Sequence, residues 1–228
     1  MFPLKDTVRT RSFPIINFAL IALNILIYVH EFVIGPRQMD RFILRYGLTP
    51  VRFYWGLHHN LIEAIIPIFT SMFLHGGLFH VLGNMWFLYI FGDSVEDRTG
   101  HVPYLVFYLL CGVAAALTQM VVMPTSTVPV VGASGAIAGV LGGYFVLYPR
   151  ARVLTLIPIF IFIQLVEVPA VIFLLVWFAM QFIQGALTPA NQAGGVAWWA
   201  HIGGFVAGMV LILLFRKREN TRASFFES

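Results

Sequence analysis

Apolar residues in this chain come in long runs separated by short polar stretches, and the runs have helical rather than strand lengths. Runs near 20 apolar residues mark helices that cross a bilayer. Six such segments stand out, at 14–34, 75–93, 102–123, 134–148, 168–187 and 196–215. The fourth is too short to cross unaided, so the stretch 124–131 before it must dip below the membrane surface to reach Ser134. Non-helical backbone at that depth is tolerated only against protein or a water-filled cavity. The pattern predicts an all-α polytopic membrane protein: six transmembrane helices around a short central helix that begins at Ser134. The domain organisation follows as a tail 1–13, a membrane domain 14–215 and a tail 216–228.

Two stretches do not fit the simple pattern. The long first loop, 35–74, mixes arginines with Phe42, Tyr46, Phe53, Tyr54 and Trp55, then turns apolar around 62–69. That composition suits a segment lying in the interface, with rings at headgroup level and guanidinium groups reaching water. The stretch 153–166 is apolar but contains Pro158 and Gln164, with Glu167 and Pro169 following. It reads as a cytoplasmic interfacial approach to the fifth helix. If it crossed the membrane, His201 would begin its helix on the face opposite Ser134.

Composition supports the membrane reading: 59% of the 228 residues are hydrophobic and 11% charged, with a mean hydropathy of +0.85. Soluble domains carry about 25% charged residues. The net charge of +4 does not point to nucleic acid, because the basic residues cluster in short loops and at the termini, where positive-inside bias puts them. Lys5, Arg9 and Arg11 precede the first span, and Arg216, Lys217 and Arg218 follow the last, which places both termini in the cytoplasm. Arg150 and Arg152 agree; Arg37, Arg41, Arg45 and Arg52 in the outward first loop do not. No small-residue cleavage pattern follows the first apolar run, so it reads as a retained span. Cys111 is the single cysteine, which leaves no internal disulfide and no thiolate cluster.

The candidate chemistry lies at one depth. Ser134 is sixteen residues from Arg150, His201 fifteen from Arg216, and His80 thirteen from Asp93. At 1.5 Å per residue these are roughly 24, 22 and 20 Å above the cytoplasmic ends, below the outer edge of a core about 30 Å thick. Gly135, Gly139 and Gly143 recur every four residues, as do Ala200, Gly204 and Gly208. Such faces let helix backbones approach closely, so the fourth helix packed on the sixth would bring Ser134 to His201. Serine needs a base to become a nucleophile, and a partly desolvated histidine stays neutral for that role. All ten acids fall in loops, tails or helix ends, so the constellation predicts a Ser–His dyad rather than a triad. The Ser134 backbone N–H at a helix N-terminus, with His80 and Asn84 at i and i+4, offers donors for an oxyanion.

The chain resembles the rhomboid intramembrane serine proteases. The motifs that carry the likeness are His75-Gly76-Gly77-Leu78-Phe79-His80-Val81-Leu82-Gly83-Asn84, then Gly132-Ala133-Ser134-Gly135, then His201 with Gly204 and Gly208. The resemblance implies Ser134 as nucleophile, His201 as base, and His80 and Asn84 as oxyanion side chains. It further implies cleavage of transmembrane substrates near their outer ends, small residues at the cut, lateral entry from the lipid beside the fifth helix, and no metal or cofactor. Three positions depart from the family pattern or refine it. Ala138 stands where members often stack an aromatic ring on the histidine, leaving Trp86 or Phe205 to replace it. Ile66-Pro67-Ile68-Phe69 stands where some members carry a Trp-Arg pair, and Glu96-Asp97-Arg98 resembles a structural pattern that pins the loop to Gly100.

Other classes fit less well. A zinc protease would show H-E-x-x-H, and an aspartyl enzyme two mid-membrane carboxylates; neither is present. A rhomboid-like protein that binds transmembrane segments without cutting them, for quality control or trafficking, is the main alternative. A channel or transporter comes third, since no inverted repeat is evident. The expected setting is an integral membrane protein of a bacterial inner membrane or a cell plasma membrane.

Overall fold

The computed structural model describes residues 1–159, 162–187 and 196–217. Arg218 and the remainder of the 216–228 tail lie outside the described residues. The first strand, β1 (Phe2–Asp6), precedes a long helix, α1 (Ile15–Val33). Three short helices then fill the first loop: α2 (Pro36–Tyr46), α3 (Pro50–His59) and α4 (Leu61–Thr70), with a 3₁₀ turn at Ser71–Phe73. The central helices are α5 (Leu78–Thr99), α6 (His101–Val122) and α7 (Ser134–Leu147). A hairpin of β2 (Arg152–Ile159) and β3 (Phe162–Pro169) leads to α8 (Ala170–Leu187), and α9 (Trp198–Phe215) follows.

All six segments expected to cross the membrane are helical, and the protein is a mostly helical polytopic membrane protein. Among the described residues, four helices are long and apolar enough to span by themselves: α1, α6, α8 and α9. A fifth span arises if Leu61–Phe73 and α5, bent by 78° at their junction, count as one. The helix α7 has 14 residues and is about 21 Å long, so it stays within the bundle.

The first loop is helical over most of its length. Pro36 and Pro50 open α2 and α3 from the first helical positions, where the missing N–H costs nothing. The Asn60 side chain caps α4 by accepting from Glu63 N. On α2, Met39, Phe42 and Ile43 face inward while Arg37, Arg41 and Arg45 are exposed.

A three-stranded antiparallel sheet, in the order β1-β2-β3, departs from the all-α expectation. The segment 153–166, read from the sequence as an interfacial approach to the fifth helix, forms the antiparallel pair β2–β3, with Arg152 opposite Pro169 and Val153 opposite Val168. Its β-branched residues favour extended backbone. Within the 1–13 tail, Phe2 pairs with Leu156 and Asp6 with Val153. The strand β1 lies along α5: Phe2 stacks on Trp86 at 5.6 Å, Trp86 Nε1 donates to Pro3 O at 2.7 Å, and Ser94 Oγ donates to Asp6.

A buried polar knot ties α1 to α5 and α6. The N-cap of α1 is Pro14, which has no side-chain acceptor, so the orphan N–H groups of Ile16 and Asn17 donate instead to the Glu96 carboxylate at 3.0 and 2.7 Å. His101 Nδ1 lies 2.5 Å from the same carboxylate. Tyr104 donates to Asn17 Oδ1, and Asn17 Nδ2 to Leu88 O. A methyl group at Gly92 would overlap Asn17, so glycine is what lets α1 cross α5 there. The Gly100 N–H bonds to the Glu96 carbonyl, and the Glu96 side chain serves both α1 and His101 just after that turn.

The core of the bundle is α7, held between α6 and α9. Added methyls at Gly204 and Gly208 would overlap the carbonyl oxygens of Gly135 and Gly139. On the other side, a methyl at Gly139 would overlap Cys111 and one at Gly135 would stand 2.7 Å from Ala115 Cβ. The expected small-residue face of α7 therefore serves α6 and α9 together. Gly208→Val is expected to destabilise the protein by about 1–3 kcal/mol or more, as overpacking does. Gly83→Val, at a position with nothing within 4 Å, should have little effect; thermal unfolding in detergent compares the two.

Burial of Asp6 raises its pKa above the ordinary aspartate value, against hydrogen bonds from Tyr144 and Ser94 that lower it. A raised folded-state pKa means that the docking of β1 is favoured by the neutral acid. That contribution is complete below the unfolded value and is lost as pH rises through the folded one. Trp86 fluorescence should report looser β1 docking with rising pH, and Asp6→Asn should weaken the dependence.

Candidate active site

Ser134 is the first residue of α7, following Gly132 with φ of +122°. The N-cap residue, Ala133, supplies no side-chain bond. The first-turn N–H groups of a helix lack intrahelical partners, so they are available to a bound anion or carbonyl. The loop before Ser134 is held at depth by an antiparallel bridge between Leu48 and Val130 and by Gly132 N donating to Ser71 O at 2.9 Å. His201 is the fourth residue of α9. The start of that helix is steadied by Gln119 of α6, whose Oε1 accepts from Ala200 N at 3.2 Å.

These two helix starts meet. Ser134 Oγ lies 2.7 Å from His201 Nε2, and His201 is 7% exposed. The predicted side-by-side packing of α7 and α9 thus brings hydroxyl and imidazole into hydrogen-bond contact. A cavity of about 870 Å³ opens above them, lined by His80, Asn84, Ser134, Trp177, Gln181 and His201 among others. Pro129, Val130 and Val131 of the dipping loop line it too. The space is large enough for water beside the half-buried Ser134 hydroxyl.

His80 and Asn84 lean over the Gly132–Ser134 turn. A Cβ built on Gly132 would stand 2.6 Å from His80 Nε2 and 3.5 Å from Asn84 Nδ2. Asn84 Nδ2 also donates to His75 Nε2 at 2.9 Å, which uses one of its two hydrogens and leaves the other for the cavity. His75 is fully buried, and its backbone N–H donates to the Glu31 carboxylate at 3.2 Å. Gly135, Gly139, Gly204 and Gly208 form the close contact beneath, as described above.

Several neighbours escaped the sequence reading. The aromatic support of His201 comes from neither Trp86 nor Phe205. Trp177 of α8 flanks the ring at 6.0 Å and 32°, and Trp198 meets it edge-on at 6.1 Å. Trp86 is engaged by β1, whereas Phe205 backs Trp177 from behind at 6.0 Å. The Nδ1 atom of His201 lies 2.7 Å from Gln181 Oε1. Gln181 was detectable in principle, since an amide in an apolar span needs a partner. Glu31 was assigned to a helix end; it does sit there but is fully buried.

These features define an integral membrane protein in which a short, enclosed helix presents a serine to a histidine on the neighbouring helix. The chain belongs to the rhomboid family: the profile of the Rhomboid domain matches residues 63–218. It is 27% identical over 200 residues to Rhomboid protein 1, mitochondrial, of Saccharomyces cerevisiae, covering 85% of this chain and 51% of that protein. It is 29% identical over 167 residues to the Presenilin-associated rhomboid-like protein, mitochondrial, of Bos taurus, covering 67% and 40%. A shorter match, 41% identical over 83 residues, covers 36% of the chain and 29% of Rhomboid-like protein 11, chloroplastic, of Arabidopsis thaliana. The chain therefore spans about half or less of the length of these relatives. Their names are mitochondrial and chloroplastic, which lends nothing to a bacterial or plasma membrane; the integral membrane character stands.

Gly132→Ala would force a side chain into a backbone region that favours glycine and against His80 Nε2. It is expected to lower kcat of any serine-dependent reaction at this site by about tenfold or more, as 1–3 kcal/mol of local strain implies. Steady-state kinetics beside unfolding curves would separate this loss from misfolding.

Proposed function

We propose that this protein is an intramembrane serine endopeptidase that hydrolyses peptide bonds in or near transmembrane segments, close to the outer face of the membrane. The observation that carries the reading is the 2.7 Å contact between Ser134 Oγ and His201 Nε2 in the lining of a partly open cavity. In this scheme the Ser134 hydroxyl donates its proton to His201 Nε2 as Oγ attacks the substrate carbonyl carbon. The oxyanion that forms accepts hydrogen bonds from the Ser134 backbone N–H, His80 and Asn84. His201 then returns the proton to the leaving amine, and water hydrolyses the acyl-enzyme by the same path in reverse. No metal or cofactor enters the scheme.

Substrates in this reading are transmembrane proteins that come laterally from the lipid beside α8. The lipid-facing side of α8 carries the exposed apolar residues Ile172, Leu175, Met180 and Ile183, a surface suited to sliding contact with a second apolar helix. Arg150 and Arg216, read as marking the cytoplasmic ends of α7 and α9, support a cavity that faces the outer leaflet. The competing idea of a non-cleaving binder of transmembrane segments is separated by experiment.

Purified protein in detergent, incubated with a model transmembrane substrate, is expected to cleave it and to be labelled by a serine-directed phosphonate at Ser134. Ser134→Ala and His201→Ala should each lower cleavage by a factor of about a thousand or more, the scale set by removing members of such units. Substrate binding should persist in both. Undiminished cleavage by Ser134→Ala, or labelling at a different residue, would sink the proposal.

A further inference from the structure

His201 has two ring nitrogens and both are engaged. Nε2 faces Ser134 Oγ at 2.7 Å, and Nδ1 faces Gln181 Oε1 at 2.7 Å. A neutral imidazole carries one N–H and one bare nitrogen. An amide oxygen only accepts, so its contact places the hydrogen on Nδ1 and leaves Nε2 bare. That is the form able to take a proton from a serine hydroxyl. Gln181 is 7% exposed, and Trp177, one turn earlier on α8, lies against the same ring.

We propose that Gln181 is a positioning residue of this site, selecting the Nδ1–H tautomer of His201 and fixing the rotation of its ring. The proposal rests on the Ser–His reading above and extends it to a third side chain. Soluble serine hydrolases set a carboxylate in this place. Within an apolar layer a carboxylate would have to be paired or neutralised; a neutral amide supplies the acceptor without a buried charge.

The arrangement also makes the base depend on a different helix from the one that bears it. Trp177 and Gln181, at i and i+4, project from one face of α8 onto a histidine of α9. That face is otherwise seated by apolar contacts, with Phe173 against Phe91 and Phe178 against Phe205. The Nδ1 acceptor is in place only while α8 occupies this seat.

The test compares the wild type with Gln181→Leu, Gln181→Glu and Ser134→Ala in detergent. It measures kcat and KM on a model transmembrane substrate, phosphonate labelling rates, pH profiles and thermal unfolding. Gln181→Leu is expected to lower kcat and the labelling rate by about ten- to a hundredfold, as loss of a hydrogen bond to a group that becomes charged implies, with KM nearly unchanged. Gln181→Glu should recover most of the activity. It should also move the acid limit of kcat/KM to higher pH, because a carboxylate beside Nδ1 favours the imidazolium. Wild-type kcat and labelling in Gln181→Leu, with Ser134→Ala inactive, would overturn the positioning role and leave the protease reading intact. Activity retained in Ser134→Ala would remove that reading itself. If Gln181→Leu does not fold, the pH profile of Gln181→Glu decides, and an unshifted acid limit overturns the proposal.

Discussion

Everything at the site depends on how closely two helix backbones can approach. The helices α7 and α9 touch through glycine, with Gly204 over the Gly135 carbonyl and Gly208 over that of Gly139. Serine is a short side chain, so its hydroxyl reaches an imidazole on another helix only when the backbones are nearly in contact. In lipid there is little hydrophobic drive to press helices together, and dispersion between small residues takes its place. The same spacing leaves Gly135 and Gly139 no room toward α6 either. The central helix is clamped from two sides, which holds Ser134 in register with His201 although neither helix start has a capping side chain of its own.

Polar groups in so apolar a chain have a second task, which is to finish one another's hydrogen bonds. The α1 start borrows the Glu96 carboxylate, the α9 start borrows Gln119, and Asn84 is steadied by His75. The first two join residues of different helices. They give direction to packing that apolar contacts alone would leave free to rotate, and of these groups Gln119 and Asn84 line the cavity.

The helical segments were legible because membrane spans are written in long apolar runs, and six predicted segments emerged as helices. The clustering of Ser134, His201, His80 and Asn84 was legible as well, because distance from charged helix ends translates into depth. The sheet was not. Two eight-residue strands with apolar residues on both faces resemble any short buried segment, and β1 has too few residues to show a period. Trp177 and Gln181 were obscured for another reason. Sequence gives depth along a helix but not the rotation of α8 about its own axis, and that rotation decides which residues meet His201. Trp86 and Phe205 are aromatic at plausible depths, yet one turns to β1 and the other lies behind Trp177.

The pairing of β1 with β2 links residues about 150 positions apart, as in Thr7 N donating to Arg152 O. Contacts this distant in sequence are slow to form, since loop closure precedes any gain from the contact. During synthesis the first strand must remain single until the hairpin has emerged, long after α1 and α5 have entered the lipid. The sheet therefore closes late, and β1 is drawn into place only once the β2–β3 pair that follows α7 has been made.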